Sequence, residues 1–131
     1  MSNSNRLKQG VHTSNVQPTF DVIDRIKGTT LYNFNQHFIE VEQEGGEKVK
    51  ENEYNSLRVD YPINANHIFE TLITEMYPNN EEQKLLNDYN AALAGIEPED
   101  KKQPYLDFLE VRKQMRAMVD ADCTINNIPL Q

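Results

Sequence analysis

Toward the end of the chain, apolar residues recur at helical intervals. Tyr105, Phe108, Val111, Met115 and Met118 follow one another at spacings of 3, 3, 4 and 3, and Leu106, Leu109 and Val119 widen the stripe. That period predicts an amphipathic helix from Pro104 to about Asp122. Pro98 or Pro104 suits a first-turn position, where a missing N–H costs nothing. Two shorter helices precede it. "ANHIFETLITEMY" puts Ile68, Leu72 and Met76 on one stripe beside Phe69 and Ile73, with Asn64 as N-cap and Pro78 as the stop. Asn80 followed by Gln83 reads as a capping box, with Glu81 and Glu82 at the positive helix end and Leu85, Leu86, Tyr89 and Leu93 as the apolar face.

Upstream the period falls to 2. In "NFNQHFIEVEQEGGEKVKENEYNSLRVDYP", His37, Ile39 and Val41 point one way while Phe38, Glu40 and Glu42 point the other. Gly45-Gly46 supplies the positive-φ residues of a tight reversal, and Leu57, Val59 and Tyr61 alternate with Arg58 and Asp60 on the return strand. A two-stranded hairpin alone is marginal in water. The "TFDVID" segment, which fits either alternation or a helical turn, leans toward a strand or short arm and is the available third strand. Residues 1–18, rich in Ser, Asn and Gln, read as a flexible N-terminal arm, residues 19–123 as a single domain, and residues 124–131 as a C-terminal tail. The fold class predicted is α+β: a small antiparallel sheet (the hairpin) followed by a three-helix C-terminal half packed on one face.

One stretch allows a second interpretation. "NDYNAALAG" places Asp88 and Asn90 two apart, with Glu99 further on, like positions 1, 3 and 12 of a calcium loop. Position 5 is then Ala92, which has no ligating side chain, and position 6 is Leu93 where the loop demands glycine. The helical reading keeps its period throughout and ends well, with Gly95 as the left-handed residue after the helix and Ile96 able to fold back.

Composition and charge narrow the function classes. The chain has 131 residues, 37% hydrophobic and 26% charged, enough for one domain with a core. No apolar run approaches the ~18–20 residues that span a bilayer, and "MSNSNRLKQG" lacks the apolar core of a secretory signal, so the expectation is a cytoplasmic protein without membrane contact. Cys123 is the single cysteine, which leaves no internal disulfide and no multi-cysteine zinc site. The net charge of −8 is uneven: residues 1–30 carry +2, residues 31–60 carry −4 and residues 61–131 carry −6. A region this acidic repels phosphate backbones, so no nucleic acid is expected, and it attracts a basic partner.

No phosphate loop, HExxH, GxSxG or dinucleotide fingerprint occurs. His67 and Glu70 form an i, i+3 pair of the kind that makes half a metal site in helical bundles, but the other ligands are missing. Cys123 lies beside Asp120 and Asp122, whose charges raise a thiol pKa and disfavour a nucleophile. Glu81–Glu82 and Glu99–Asp100 fit helix starts better than acid–base pairs. Arg112, Lys113 and Arg116 complement a helix C-terminus, with anion binding as the alternative, and Met115 and Met118 read as core. No catalytic residue, metal ligand, cofactor or small-molecule substrate is therefore assigned.

The run from Leu57 to Cys123 combines an alternating strand ending in Tyr61-Pro62-Ile63, the "EQKLLNDYNAALAG" helix, and "YLDFLEVRK" leading to an acidic-Cys ending. In this it resembles small uncharacterised prophage-encoded proteins of anaerobic gut bacteria. The resemblance spans residues 57–123 and brings no functional residue with it. It implies a context, since such genes tend to lie among phage structural or accessory genes.

The expected function is that of a non-enzymatic phage-related structural or assembly protein, acting through protein contacts or self-association and incorporated in a phage particle or free in the cytoplasm. The alternative is an acidic inhibitor or antitoxin-like protein that neutralises a basic partner. The expected contact residues are Phe38, Ile39 and Val41, because three helices on one sheet face cannot cover a hairpin that is apolar on both.

Overall fold

The computed structural model describes residues 6–131. Four antiparallel strands, β1 (Leu7–Thr13), β2 (Phe20–Asp24), β3 (Thr29–Glu42) and β4 (Lys48–Val59), form one sheet in the order β1-β4-β3-β2. Three helices follow: α1 (Ala65–Met76), α2 (Glu81–Leu93) and α3 (Gln103–Ile125), the last entered through a single 3-10 turn at Glu99–Lys102. This is the α+β class expected from the change of period along the chain. "TFDVID" is a strand, paired with β3 from Phe20↔Tyr32 to Asp24↔Thr29.

The β3–β4 hairpin is built around the glycine pair. Gly45 and Gly46 have φ of 92° and 83°, and the Gly46 N–H donates to the Gln43 carbonyl at 3.0 Å. Halfway along β3, Asn35 takes a left-handed φ of 55° and the register slips between Phe34 and His37. This bulge changes which residues face the helices. Before it, Tyr32 and Phe34 do, opposite Leu57 and Asn55; beyond it, His37, Ile39 and Val41 take that side, opposite Glu53, Glu51 and Val49.

The N-terminal segment departs from its sequence reading as a flexible arm. Residues 1–5 of that arm lie outside the described residues. Leu7–Thr13 are strand β1, paired with β4 from Leu7↔Leu57 to Thr13↔Asn52 around a bulge at Gly10. Residues 14–19 then cross the sheet face opposite the helices, from one edge to the other. They are held there by side-chain amides. Asn52 Nδ2 and the Gln17 N–H both donate to Gln36 Oε1 at 2.9 Å, Gln36 Nε2 donates to the Gln17 carbonyl at 2.9 Å, and Asn33 Nδ2 donates to the Pro18 carbonyl at 2.9 Å. Ser56 Oγ donates to Asn33 Oδ1 at 2.7 Å in a buried bond, and the rest of the network is part-buried. The crossing segment offers backbone groups, and amide side chains of β3 and β4 supply the hydrogen bonds that order it.

The helices show two local outcomes. Asn64 caps α1 as expected, its Oδ1 accepting from the His67 N–H at 2.8 Å. Asn80 does not form the capping box. With Asn79 it lies in the left-handed region (φ 59° and 62°), and no side-chain cap bond forms at the start of α2. A cap requires an extended backbone at that residue, and Gln83 instead donates to Asn87 at 3.0 Å. At the other end of α2 the Gly95 N–H donates to Ala92 at 3.1 Å and the Ile96 N–H to Ala91 at 2.9 Å, with Gly95 at φ 77°. These are the bonds of a Schellman ending, although Ile96 stays 79% exposed rather than folding back.

The core lies between the sheet and α1 and α3. Tyr32, Phe34, Leu57 and Val59 meet Ile68, Phe69, Leu72 and Ile73 from α1, and Phe108, Val119 and Cys123 from α3. α2 is the outer layer, packed on α3 and contributing Ala92 to the buried set while Leu93 stays exposed. Residues 124–131, read from sequence as a tail, are tied down. The Pro129 and Leu130 carbonyls accept from the Ala65 and Asn66 N–H groups at 2.8 and 3.1 Å, satisfying donors at the start of α1, and Ile128 packs on the core.

Candidate protein-contact surface

Past the bulge, β3 and β4 leave the rest of the sheet. β2 pairs with β3 only as far as Tyr32, and β1 pairs with β4 only as far as Asn52. From His37 to Glu42 and back from Lys48 to Glu51 the hairpin is therefore a two-stranded ribbon with no strand beside either edge among the described residues. Open backbone edges of this kind are templates for pairing with another chain.

The three expected contact residues sit on this ribbon, but not on one face. The register places Phe38 opposite Asn52, on the face that carries the crossing segment, and its side chain is 60% exposed. Ile39 and Val41 lie on the other face, opposite Glu51 and Val49, and are half-buried. Val49, exposed, joins them and was not singled out from the sequence. Two imidazole–carboxylate pairs border that face: His12 Nδ1 to Glu51 Oε1 at 2.6 Å and His37 Nε2 to Glu53 Oε1 at 2.9 Å. Between His37 and Glu53 the ribbon holds six carboxylates and two lysines.

A second surface, missed from the sequence, occupies the opposite end of the same sheet face as Phe38. Arg6, Lys8 and Arg58 border a groove floored by Val11, Leu31 and Tyr54. It continues past Ile23 into a recess beside Lys27 and Tyr61. Arg6 pairs with Asp60 at 2.6 Å, and that hydrogen bond chiefly holds the Asp60 carboxyl below the usual aspartate range. Lys8, Lys27 and Arg58 make no ion pair among the described residues. The signal for this surface was the net +2 of residues 1–30, which has no location until the topology brings β1, β2 and Arg58 together.

The remaining candidates resolve into structure. Asp88 and Asn90 lie within α2, so the segment is a helix and not a calcium loop. No group of three His, Cys, Asp or Glu side chains that could hold a metal occurs among the described residues. The guanidinium groups of Arg112 and Arg116 lie 5.0 and 5.2 Å from the centre of the Phe69 ring, and Arg116 also contacts Asp120 and Asn66. They shield an aromatic at the helix–helix seam. Cys123 is fully buried, and burial, helped by Asp120 and Asp122, pushes its thiol up to about 11. Met115 and Met118 pack against the core and, with Leu7 and Met76, line a shallow groove between sheet and helices.

The fold and its surfaces define an α+β domain that presents a β-ribbon. Comparison of the chain with protein-family models, curated proteins and solved structures finds no match. No helix among the described residues is long and apolar enough to cross a membrane.

Proposed function

We propose that the chain is a non-enzymatic, phage-related structural or assembly protein, acting in the cytoplasm or within a particle through protein–protein contacts made by the β3–β4 ribbon. The observation that carries this is the Phe38 ring, 60% exposed on a ribbon whose backbone edges are open. A ribbon of two strands is marginal by itself, and an apolar, open-edged one gains most when a partner chain covers it. The resemblance of residues 57–123 to prophage-encoded proteins supplies the phage context.

A second reading, an acidic inhibitor that neutralises a basic partner, is supported by the excess of carboxylates on the same ribbon. Both are tested by affinity capture from the producing cells with wild-type and Phe38→Asp baits. Assembly through the ribbon predicts bound protein that is lost with Phe38→Asp. An inhibitor predicts one basic partner released by salt in both baits. Equal capture by both baits in low and high salt contradicts the assembly role of the ribbon.

A further inference from the structure

The ribbon and the basic groove are opposite in charge and alike in apolar character. The ribbon's tip carries Glu42, Glu44 and Glu47 around the glycine turn, and Phe38 projects from the face shared with the groove. The groove offers Lys8 and Arg58 over an apolar floor, in two adjoining recesses of about 300 and 590 Å³ that share Arg6, Ile23 and Arg58. Of the residues that line it, Ile23 and Tyr61 are more than half exposed, at 51 and 75%. The apolar exposure on the sheet thus concentrates at its two ends, with net negative charge at one and unpaired cations at the other. Ribbon and groove belong to one continuous sheet, so the ribbon cannot turn back into its own groove.

We propose that the occupant of the groove is the ribbon of a second copy of this chain, bound head to tail. This rests on the ribbon being the contact element and adds the surface that receives it. Phe38 covers the apolar floor while the glutamates at the tip meet Lys8 and Arg58. Such an interface joins two different surfaces, so each pair keeps one free ribbon and one free groove and can add further copies. Charge complementarity sets the register and makes association weaken as salt rises.

The test uses two full-length variants, each checked for wild-type circular dichroism and melting temperature. The groove variant is Lys8→Glu with Arg58→Glu; Lys8→Gln with Arg58→Gln replaces it if charge reversal disturbs the fold. The ribbon variant is Phe38→Asp. Native mass spectrometry and sedimentation velocity at matched concentrations give the species present. Wild type is expected to form dimers and larger species as concentration rises, and each variant alone to stay monomeric or to associate at least tenfold more weakly. The equimolar mixture is expected to form a 1:1 heterodimer that grows no further, because one variant contributes the intact ribbon and the other the intact groove.

A groove variant that self-associates like wild type while Phe38→Asp does not overturns the head-to-tail arrangement and leaves the ribbon as the contact, pairing edge to edge. Wild type that stays monomeric at every concentration overturns the second copy as occupant and leaves a different protein as the ribbon's partner. Self-association unaffected in both variants overturns the inference and the ribbon's role together.

Discussion

Tyr32→Phe removes one oxygen at the junction of sheet and helix layer. Tyr32 is fully buried, stacked between Phe20 and Phe34 with ring centroids 5.0 Å away on each side. Its hydroxyl donates to Asp122 Oδ2 at 2.5 Å, linking β3 to the last turns of α3. Phenylalanine keeps the stacked ring and loses only this bond. A hydrogen bond to a charged acceptor contributes ~1.5–3 kcal/mol. Asp122 is half-buried and regains water when released, which places the loss at the lower end, ~1.5–2 kcal/mol. For a domain of this size that corresponds to a fall in melting temperature of roughly 5–8 °C. Urea unfolding followed by circular dichroism reads the loss directly, with an unchanged slope showing that the two states are the same. A double-mutant cycle with Asp122→Ala isolates the pair and is expected to give a coupling of at least ~1 kcal/mol. Tyr32→Phe as stable as wild type, or additive with Asp122→Ala, refutes the assignment of this bond as a tie between the layers.

The same hydroxyl gives a pH dependence. Burial first, and then the Asp122 hydrogen bond and charge, raise the Tyr32 phenol far above the ordinary tyrosine value. The native state therefore keeps it protonated while the unfolded chain ionises near ~10. Its contribution is complete below about pH 10 and is lost as pH rises further, so stability should fall above pH 10, and less steeply in Tyr32→Phe. Cys123, buried and with its thiol raised to about 11, should resist iodoacetamide at pH 8 in the native protein and react once urea unfolds it; rapid native labelling contradicts the packing of α3. Asn52→Ala should cost ~1–3 kcal/mol, because it removes a buried side chain that donates to Gln36, and should open residues 14–18 to proteolysis. Resistance equal to wild type there sinks the account of the crossing.

The helices were legible because their period is carried by large apolar residues that do become core: Ile68, Leu72, Phe108 and Val119. The glycine turn and the Asn64 cap were legible because their chemistry is local. What was not legible depends on contacts across the chain. β1 carries few apolar side chains and gains its place from backbone pairing with β4. The crossing segment is held by Gln36, Asn33 and Asn52, residues 15 or more positions away in sequence. A polar stretch whose partners lie on another strand looks the same in sequence as one that has none. The Asn35 bulge is likewise silent in the pattern, since it reverses the facing of β3 without breaking alternation on either side. The candidate contact was partly legible: the two-faced apolar character at Phe38 and Ile39 was visible, while the basic groove needed the sheet order to assemble it.

The contact role of the ribbon is most directly measured by sedimentation equilibrium of wild type against Phe38→Asp over a wide concentration range. With 60% of the side chain exposed and ~150–250 Å² for a whole aromatic, covering Phe38 removes on the order of 120 Å² from water, ~3 kcal/mol at about 25 cal/mol per Å². That predicts about a hundredfold weaker association for Phe38→Asp, with the circular dichroism of sheet and helices unchanged. Identical association of the two proteins, with both folded, contradicts the account.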